Sequence, residues 1–200
     1  MTVAGVLLAA GSSRRMGRPK ALLPYRDSTL LRHAAEILSA TACSPRFVVV
    51  SPEARKSCWQ REKLDIAVVE NRDAAAGLAT SLRAAVRAIE AWEATAGKQV
   101  EGVLFTLVDQ PLITPEHLNR VVEAGRDSGL AATSWPSAFG PPTFLYRSFF
   151  PSLKRLHGDE GAKKILSQHP DQLRLVDFPD AALDIDDAAD YARLLSGAKA

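Results

Sequence analysis

The chain has few cysteines and histidines, the residues that form the disulfides of small secreted domains and the metal sites of zinc-binding domains. Its two cysteines, Cys43 and Cys58, form no C-x-x-C pair and are too few for a disulfide framework. Its four histidines show neither H-E-x-x-H nor H-x-x-x-H spacing, which argues against a zinc site. It also lacks an apolar run near the roughly 20 residues of a membrane span and the basic start of a signal peptide. We therefore expect a cytoplasmic protein that uses neither zinc nor disulfides.

A strong charge of one sign is also missing. Lys and Arg number 25 against 23 Asp and Glu, a net charge of +2, which argues against a nucleic acid or a membrane surface as partner. The 46% hydrophobic and 24% charged residues are typical of a folded globular protein. No internal repeat or low-complexity tract is present. We expect one domain over residues 1–200, with residues 91–101 as a surface loop inside it.

Apolar runs alternate with amphipathic segments along the chain. The runs predict buried strands at residues 3–10, 47–50, 66–69, 103–108 and 130–133, with 143–146 also extended. Helices are predicted after Asp27 or Ser28, over residues 53–63, after Thr80 or Ser81, from Thr114–Pro115, and over 149–156 and 188–196. Such alternation indicates an α/β protein, a three-layer α/β/α, Rossmann-like fold around a mostly parallel sheet.

The most informative segment follows the first predicted strand. After Gly11, residues 12–20 contain two serines, a second glycine at position 17 and four cationic side chains. Backbone N–H groups and cations in such a loop predict binding of one anionic ligand, above all a polyphosphate. The spacing fits neither Walker A nor the G-x-G-x-x-G fingerprint. A solvated basic turn is the alternative.

Two further segments are candidates because they adjoin predicted strands. Residues 77–81 place Gly77, Thr80 and Ser81 before a helix, where they would either contact a base or sugar or simply cap the helix. Asp109 ends the strand at 103–108, just before Pro111. A carboxylate at the carboxyl end of a parallel strand is well placed to hold Mg²⁺. The alternative role for Asp109 is to cap a turn.

Three later segments complete the candidates. Residues 135–142 are too rich in proline and glycine for a central strand and read as a substrate loop or a rigid turn. Asp159 precedes a predicted helix that it could cap. Asp184 and Asp186 alternate along an extended segment, so they should share one face. An acidic cap on the helix at 188–196 is the alternative reading for this last segment.

Residues 8–20, Leu-Ala-Ala-Gly-Ser-Ser-Arg-Arg-Met-Gly-Arg-Pro-Lys, resemble the L-A-[A/G]-G-x-S-x-R-M-G-x-x-K signature of nucleotidyltransferases. They look most like the molybdenum cofactor cytidylyltransferases and related MobA-like proteins. Later segments are similar to the family's Gly-x-x-x-Ser-Leu-Arg, D-x-P, Gly-x-Pro and G-D-x-G-A steps. The final acidic segment resembles D-I-D-T-P-E-D, although Asp187, Ala188 and Ala189 replace T-P-E.

The resemblance implies the fold of nucleotide-diphospho-sugar transferases and a division of roles among the candidates. Catalytic roles would fall to Arg15, Lys20 and Asp109, and Mg²⁺ would bind Asp109 and Asp186. Acceptor-side roles would fall to Gly140, Pro142 and Asp159. The nucleotide would be bound by Leu8, Ala9, Ala10, Gly11, Ser12, Ser13, Lys20, Gly77, Thr80 and Ser81.

The implied reaction moves CMP from CTP to the terminal phosphate of molybdenum-bound molybdopterin, giving molybdopterin cytosine dinucleotide and pyrophosphate. Ala10, where guanylyl-transferring relatives tend to have glycine, favours cytidine. Expected partners are CTP, molybdenum-molybdopterin, and a molybdenum hydroxylase or its chaperone. Two alternatives stay open: transfer to a sugar phosphate or alcohol phosphate, and a non-catalytic carrier of the molybdenum cofactor.

Overall fold

A computed structural model describes residues 1–11, 19–58 and 65–196 of the chain. The strands within these residues are β1 (Val3–Ala9), β2 (Pro24–Tyr25), β3 (Ser28–Thr29), β4 (Arg46–Val50), β5 (Ala67–Glu70), β6 (Gly102–Leu107), β7 (Leu130–Trp135), β8 (Ala138–Tyr146) and β9 (Leu173–Asp177). The α-helices are α1 (Leu30–Ser39), α2 (Pro52–Cys58), α3 (Leu78–Ala96), α4 (Pro115–Ser128), α5 (Phe150–Lys154), α6 (Ala162–Gln168) and α7 (Ala188–Leu195).

The described strands form a seven-stranded, mostly parallel sheet in the order β5-β4-β1-β6-β8-β7-β9, plus the two-stranded hairpin β2-β3. Strands β5, β4, β1 and β6 run parallel. Strand β8 runs antiparallel to both of its neighbours, and β9 is parallel to β7. The carboxyl ends of β1, β4, β5 and β6 therefore meet at one edge of the sheet, where ligands of open α/β sheets bind.

Helices cover both faces of this sheet, which confirms the three-layer prediction. Val3, Leu7 and Ala9 of β1 pack into a core with α1 and α4. Ala4, Val6, Leu8 and Ala10 point the other way, into a core with α3, α5 and α6. Because alternate side chains of a strand face opposite sides, a strand covered on both faces must be apolar throughout. That is why residues 3–10 read as one unbroken apolar run.

Two helix boundaries differ from the predictions. Helix α1 is capped by Thr29, whose hydroxyl accepts from the Arg32 N–H, and not by Asp27 or Ser28. Asp27 belongs to the turn of the β2-β3 hairpin, and Ser28 pairs with Tyr25 as the first residue of β3. Helix α3 continues to Ala96 and ends at Gly97, which has φ of 62°. The prediction of a surface loop at 91–101 is therefore wrong for residues 91–96, which are helical. The run of alanine and glutamate there favours helix even where it is exposed.

The loop or turn predicted at residues 135–142 is confined to a turn at Pro136 and Ser137, because Trp135 ends β7 and 138–142 belong to β8. Only the part of β8 from residue 143 onward pairs with β6. Residues 138–140 pair with β7 alone, and Pro141 and Pro142 lie at the shift of register, where neither has a partner in β6 or β7. Their carbonyls are still used: Pro142 O accepts from the Thr133 hydroxyl at 3.1 Å. Prolines fit at such an irregularity because the strand pairing requires no N–H donor from them.

The remaining differences are small. Helix α5 is shorter than the predicted 149–156 and follows a 3₁₀ turn at Arg147–Phe149. The helix predicted at 53–63 is seen as α2, and its predicted end lies outside the described residues. Strand β9 was not predicted. Among the described helices, none combines the length and the apolar character needed to cross a membrane.

Candidate functional site

A cavity of about 1080 Å³ opens at the carboxyl ends of β1 and β6. Its walls come from segments far apart in the chain. The described lining residues are Leu8, Ala9, Ala10, Gly11, Lys20, Ala21, Ala74, Ala75, Ala76, Gly77, Leu78, Ser81, Leu107, Val108, Asp109, Asp159 and Asp186. Ten of the residues singled out from the sequence are therefore neighbours of one cavity.

Lys20 connects the two predicted metal ligands. Its ammonium donates to Asp186 Oδ1 at 2.7 Å and to Asp109 Oδ2 at 3.3 Å. Burial lowers the pKa of Lys20, but the bond to Asp186 and the charges of both aspartates outweigh it, so the pKa lies above its ordinary value. Burial raises the pKa of Asp109, although Lys20 opposes that shift. The result is a compact cluster of one cation between two anions.

Asp109 is held by the end of the sheet. The backbone of the residue before it, Val108, donates to Leu8 O at 3.2 Å and continues the junction of β6 with β1. Asp109 Oδ2 contacts Lys20, whereas its Oδ1 is buried and accepts no hydrogen bond in the described structure. A buried carboxylate oxygen without a donor is costly, and a bound cation would satisfy it.

Asp186 reaches the same place from the C-terminal part of the chain. The Ile185 N–H donates to Asp109 O at 3.0 Å, and the side chains of Leu183 and Ile185 are buried in the core. Asp184 and Asp186 therefore face outward together, as predicted from alternation. Burial raises the pKa of Asp184, and the charges of Asp186 and Asp109 add to the shift.

The acidic cap that was the alternative for this segment is present on α7, but Asp186 does not form it. The cap of α7 is Asp187, which accepts from the Ala189 and Asp190 N–H groups at 2.8 Å and 3.0 Å. Asp190 completes a capping box by accepting from the Asp187 N–H. The carboxylate of Asp186 is thus left to pair with Lys20.

Gln110 links this acidic segment to β8, and sequence reasoning missed it. Its side chain is 5% exposed, and its amide donates to Pro141 O at 3.1 Å and to Ala181 O at 3.2 Å. The first bond holds the proline stretch of β8 and the second holds the start of the segment that leads to Asp186. The sequence signal was only its position after Asp109.

Asn71 plays a similar part on the other wall, and it too was missed. It is 4% exposed, and its amide donates to Thr80 Oγ1 at 2.8 Å and to Ser81 Oγ at 2.9 Å. Its carbonyl accepts from the Asp73 N–H at 3.1 Å. These bonds fix the 71–77 segment to the first turn of α3. A buried asparagine just after a strand was the available signal.

Thr80 and Ser81 do not cap α3. The helix already begins at Leu78, and its N-cap is Gly77. Thr80 is buried behind the cavity wall and donates to Gly77 O at 2.8 Å, whereas Ser81 lines the cavity. The interpretation as a plain cap is therefore wrong, while a role at the nucleotide stays a prediction.

Gly77 brings Asp159 to the cavity. It has φ of 107°, and a Cβ there would lie 2.2 Å from the Gly158 carbonyl carbon and oxygen, so this position requires glycine. The close approach lets the Ala79 N–H donate to Gly158 O at 3.0 Å. Asp159 then lines the cavity instead of capping α6, whose N-cap is Gly161 without a side-chain bond.

The structure separates some predicted site residues from the others. Gly140 and Pro142 are buried in β8 and are not among the described residues that line the cavity. Ser12, Ser13 and Arg15 lie outside the described residues. Among the described residues no group of three or more His, Cys, Asp or Glu side chains is arranged to hold a metal ion. Asp109 and Asp186 supply two carboxylates, which suits Mg²⁺ because that ion usually keeps several waters.

A profile of the MobA-like NTP transferase domain matches residues 5–173. The chain belongs to this family. The match covers every described residue that lines the cavity except Asp186, which lies beyond its end.

Individual relatives carry different names. The nicotine blue oxidoreductase of Paenarthrobacter nicotinovorans is 30% identical over 96% of each chain. A probable molybdenum cofactor guanylyltransferase of Rhodopirellula baltica is 34% identical over 71% of this chain and 66% of its own. The molybdenum cofactor cytidylyltransferase of Escherichia coli is 28% identical over 62% of this chain and 60% of its own.

Solved structures with the same fold include family members. The Rv0371c protein of Mycobacterium tuberculosis superposes with a TM-score of 0.79 at 31% identity, covering 98% of this chain and 99% of its own. The same protein in complex with manganese gives a TM-score of 0.76 at 29% identity, over 98% and 99% of the two chains.

Proposed function

We propose that the protein is a Mg²⁺-dependent nucleotidyltransferase that moves CMP from CTP to the terminal phosphate of molybdenum-molybdopterin. The products would be molybdopterin cytosine dinucleotide and pyrophosphate. The observation that carries the proposal is the meeting of Lys20, Asp109 and Asp186 in one cavity. Membership of the MobA-like family supports the reaction class.

The proposed reaction needs positioning and charge neutralisation more than covalent chemistry from the protein. The backbone from Ala10 to Ser13 would hold the triphosphate, with the N–H groups turned toward its oxygens. Lys20, joined by Arg15, would stabilise the charge that builds up during the transfer. The acceptor phosphate would attack the α-phosphorus in line, with pyrophosphate leaving from the opposite side.

Asp109 and Asp186 are the proposed metal ligands. They fit Mg²⁺ because both are carboxylates, one beside the end of β6 and the other on the outward face of the last extended segment. The Asp109 oxygen that lacks a donor adds a ready ligand. When bound, Mg²⁺ would neutralise charge on the α-phosphate and the leaving pyrophosphate.

The base and the acceptor are assigned from the residue at position 10 and from the names of two relatives. Ala10 is 4% exposed at the cavity wall. Guanylyl-transferring relatives tend to have glycine at this position, so the alanine favours CTP. We place Gly77, Thr80 and Ser81 beside the nucleotide, and Asp159 with the Gly140–Pro142 stretch on the acceptor side. The names of two relatives point to the molybdenum cofactor. The product would then pass to a molybdenum hydroxylase or its chaperone.

The test is pyrophosphate release from each of the four nucleoside triphosphates with Mg²⁺, offered molybdenum-molybdopterin, a sugar phosphate or an alcohol phosphate. We expect release with CTP and the pterin. Release with GTP alone would correct the base, and release only with another phosphate would correct the acceptor. Pterin binding without any pyrophosphate would instead identify a carrier.

Asp109→Asn tests the metal assignment within the same assay. Loss of one anionic ligand from the reacting centre should lower kcat by about 10²-fold or more, with the fold retained. Asp171→Asn is the matched control, because Asp171 is an exposed aspartate in the turn before β9. Near-normal turnover by Asp109→Asn would show that Asp109 is not a metal ligand.

A further inference from the structure

Lys20 lies where a bound metal ion is needed. Its ammonium contacts one oxygen of each predicted metal ligand, at 2.7 Å and 3.3 Å. The lysine side chain is 13% exposed, and those of Asp109 and Asp186 are 23% and 57% exposed. Mg²⁺ requires oxygen ligands at about 2.1 Å. An ammonium and a divalent cation cannot both occupy this space, because two cations so close in a partly buried site repel strongly.

We propose that Lys20 is the resident cation of the unliganded protein and yields its place to a divalent ion that arrives together with a nucleoside triphosphate. This inference rests on the proposed function. Phosphate oxygens give the ammonium a new anionic partner when it leaves the aspartates. A metal ion that arrives alone brings no such phosphate partner, so it has to displace the ammonium from both aspartates by its own bonds to them.

The local structure suits such an exchange. Lys20 begins the 3₁₀ turn Lys20–Leu22, and its neighbour Ala21 is 2% exposed, so the backbone is anchored. The side chain itself is a flexible stem of four carbons with a rotatable ammonium. Lys20 lines the same cavity as Ala10 and Gly11. Rotation of its side chain therefore moves the charge within one cavity and needs no shift of the fold.

The consequence concerns the order of binding. Free Mg²⁺ binds the site more weakly than the metal–nucleotide complex does, so the complex is the form that the site favours. Because coupling between two ligands is reciprocal, nucleotide strengthens metal binding as much as metal strengthens nucleotide binding. Lys20 is the residue that carries this coupling.

The test measures Mn²⁺ binding without nucleotide, by the electron paramagnetic resonance signal of the free ion and by calorimetry. Lys20→Met should bind Mn²⁺ about tenfold more tightly than the unaltered protein or better, because a competing charge-assisted bond to each aspartate is gone. Lys154→Met is the matched control, since Lys154 also forms an ion pair, with Glu90, but lies outside the cavity lining. It should bind Mn²⁺ as the unaltered protein does.

Equal Mn²⁺ affinity in the unaltered protein and Lys20→Met would overturn the proposal, as would no binding to either. Lys20→Gln provides the same comparison if the methionine variant fails to fold. Failure of the proposed function has a separate readout, the absence of pyrophosphate with every nucleotide and acceptor. A protein that releases pyrophosphate but shows equal Mn²⁺ affinities would keep the function and lose the inference.

Discussion

His117 should make the stability of the protein depend on pH. The ring is 1% exposed, stacks on Phe178 with centroids 4.3 Å apart, and places Nε2 2.8 Å from Thr133 Oγ1. The Thr133 hydroxyl donates its hydrogen to Pro142 O, so Nε2 must be the donor to Thr133. The other nitrogen, Nδ1, is then unprotonated, and it is buried with no hydrogen-bond partner among the described residues.

Burial lowers the pKa of His117 to about 4, and nearby Arg120 adds to the shift. The unfolded chain titrates near the ordinary value of 6.5. The unfolded state therefore binds the extra proton first, so the stabilising contribution is complete above pH 6.5 and is lost as the pH falls toward 4. The full shift corresponds to about 3 kcal/mol, and the loss between pH 7 and pH 5 is about 2 kcal/mol.

The measurement is the free energy of unfolding by urea at several values between pH 7.5 and pH 4.5. His117→Gln is the comparison, because glutamine keeps a donor near Thr133 but does not titrate. Other groups contribute equally to both proteins, so the difference between the two curves isolates His117. Parallel curves over this range would show that His117 is not held neutral by its burial, and the reasoning would fail.

Two further changes test the walls of the cavity. Gly77→Ala should lower the free energy of unfolding by at least about 2 kcal/mol, because it adds a clash with Gly158 to a strained φ. The control is Gly97→Ala, which is also at positive φ but has open space around it and should cost about 1 kcal/mol. Equal losses of stability for the two variants in thermal or urea unfolding would contradict the clash. Asn71→Leu should cost about 2 kcal/mol by leaving buried Thr80 and Ser81 without their donor, and should raise KM for the nucleotide more than it lowers kcat. An unchanged KM for the nucleotide in steady-state assays would show that Asn71 does not support the side of the cavity proposed to bind the nucleotide.

Local patterns carried the sequence predictions that proved correct. The unbroken apolar run of β1 predicted a strand buried on both faces. Thr114 followed by Pro115 predicted the start of α4, and the Thr114 hydroxyl accepts from the His117 N–H as that pattern requires. The position of Asp109 after β6 follows from the same reasoning. Each of these depends on residues adjacent in the chain.

The wrong or missing predictions depend on neighbours distant in the chain. Proline and glycine argued against a strand at 138–142, but only the sheet topology shows that this stretch has at most one partner strand. Strand β9 lies at the edge of the sheet, and its neighbouring exposed residues Arg174 and Leu175 break the alternation of buried and exposed positions that is typical of a strand. Gln110 and Asn71 bond to groups far from them in sequence, and no local pattern identifies such partners.

The contrast between local sequence patterns and contacts distant in the chain also explains how the candidate site is built. The charged residues Lys20, Asp109 and Asp186 could be named from the sequence because their chemistry is evident in isolation. Their meeting depends on uncharged contacts: the Ile185 N–H bonds to Asp109 O, and Gln110 holds the segment that leads to Asp186. A hydrogen bond of this kind adds only about 1 kcal/mol of stability, yet here it sets the separation of two charges. Changes at these neutral positions should therefore alter the geometry of the cluster more than the stability of the fold.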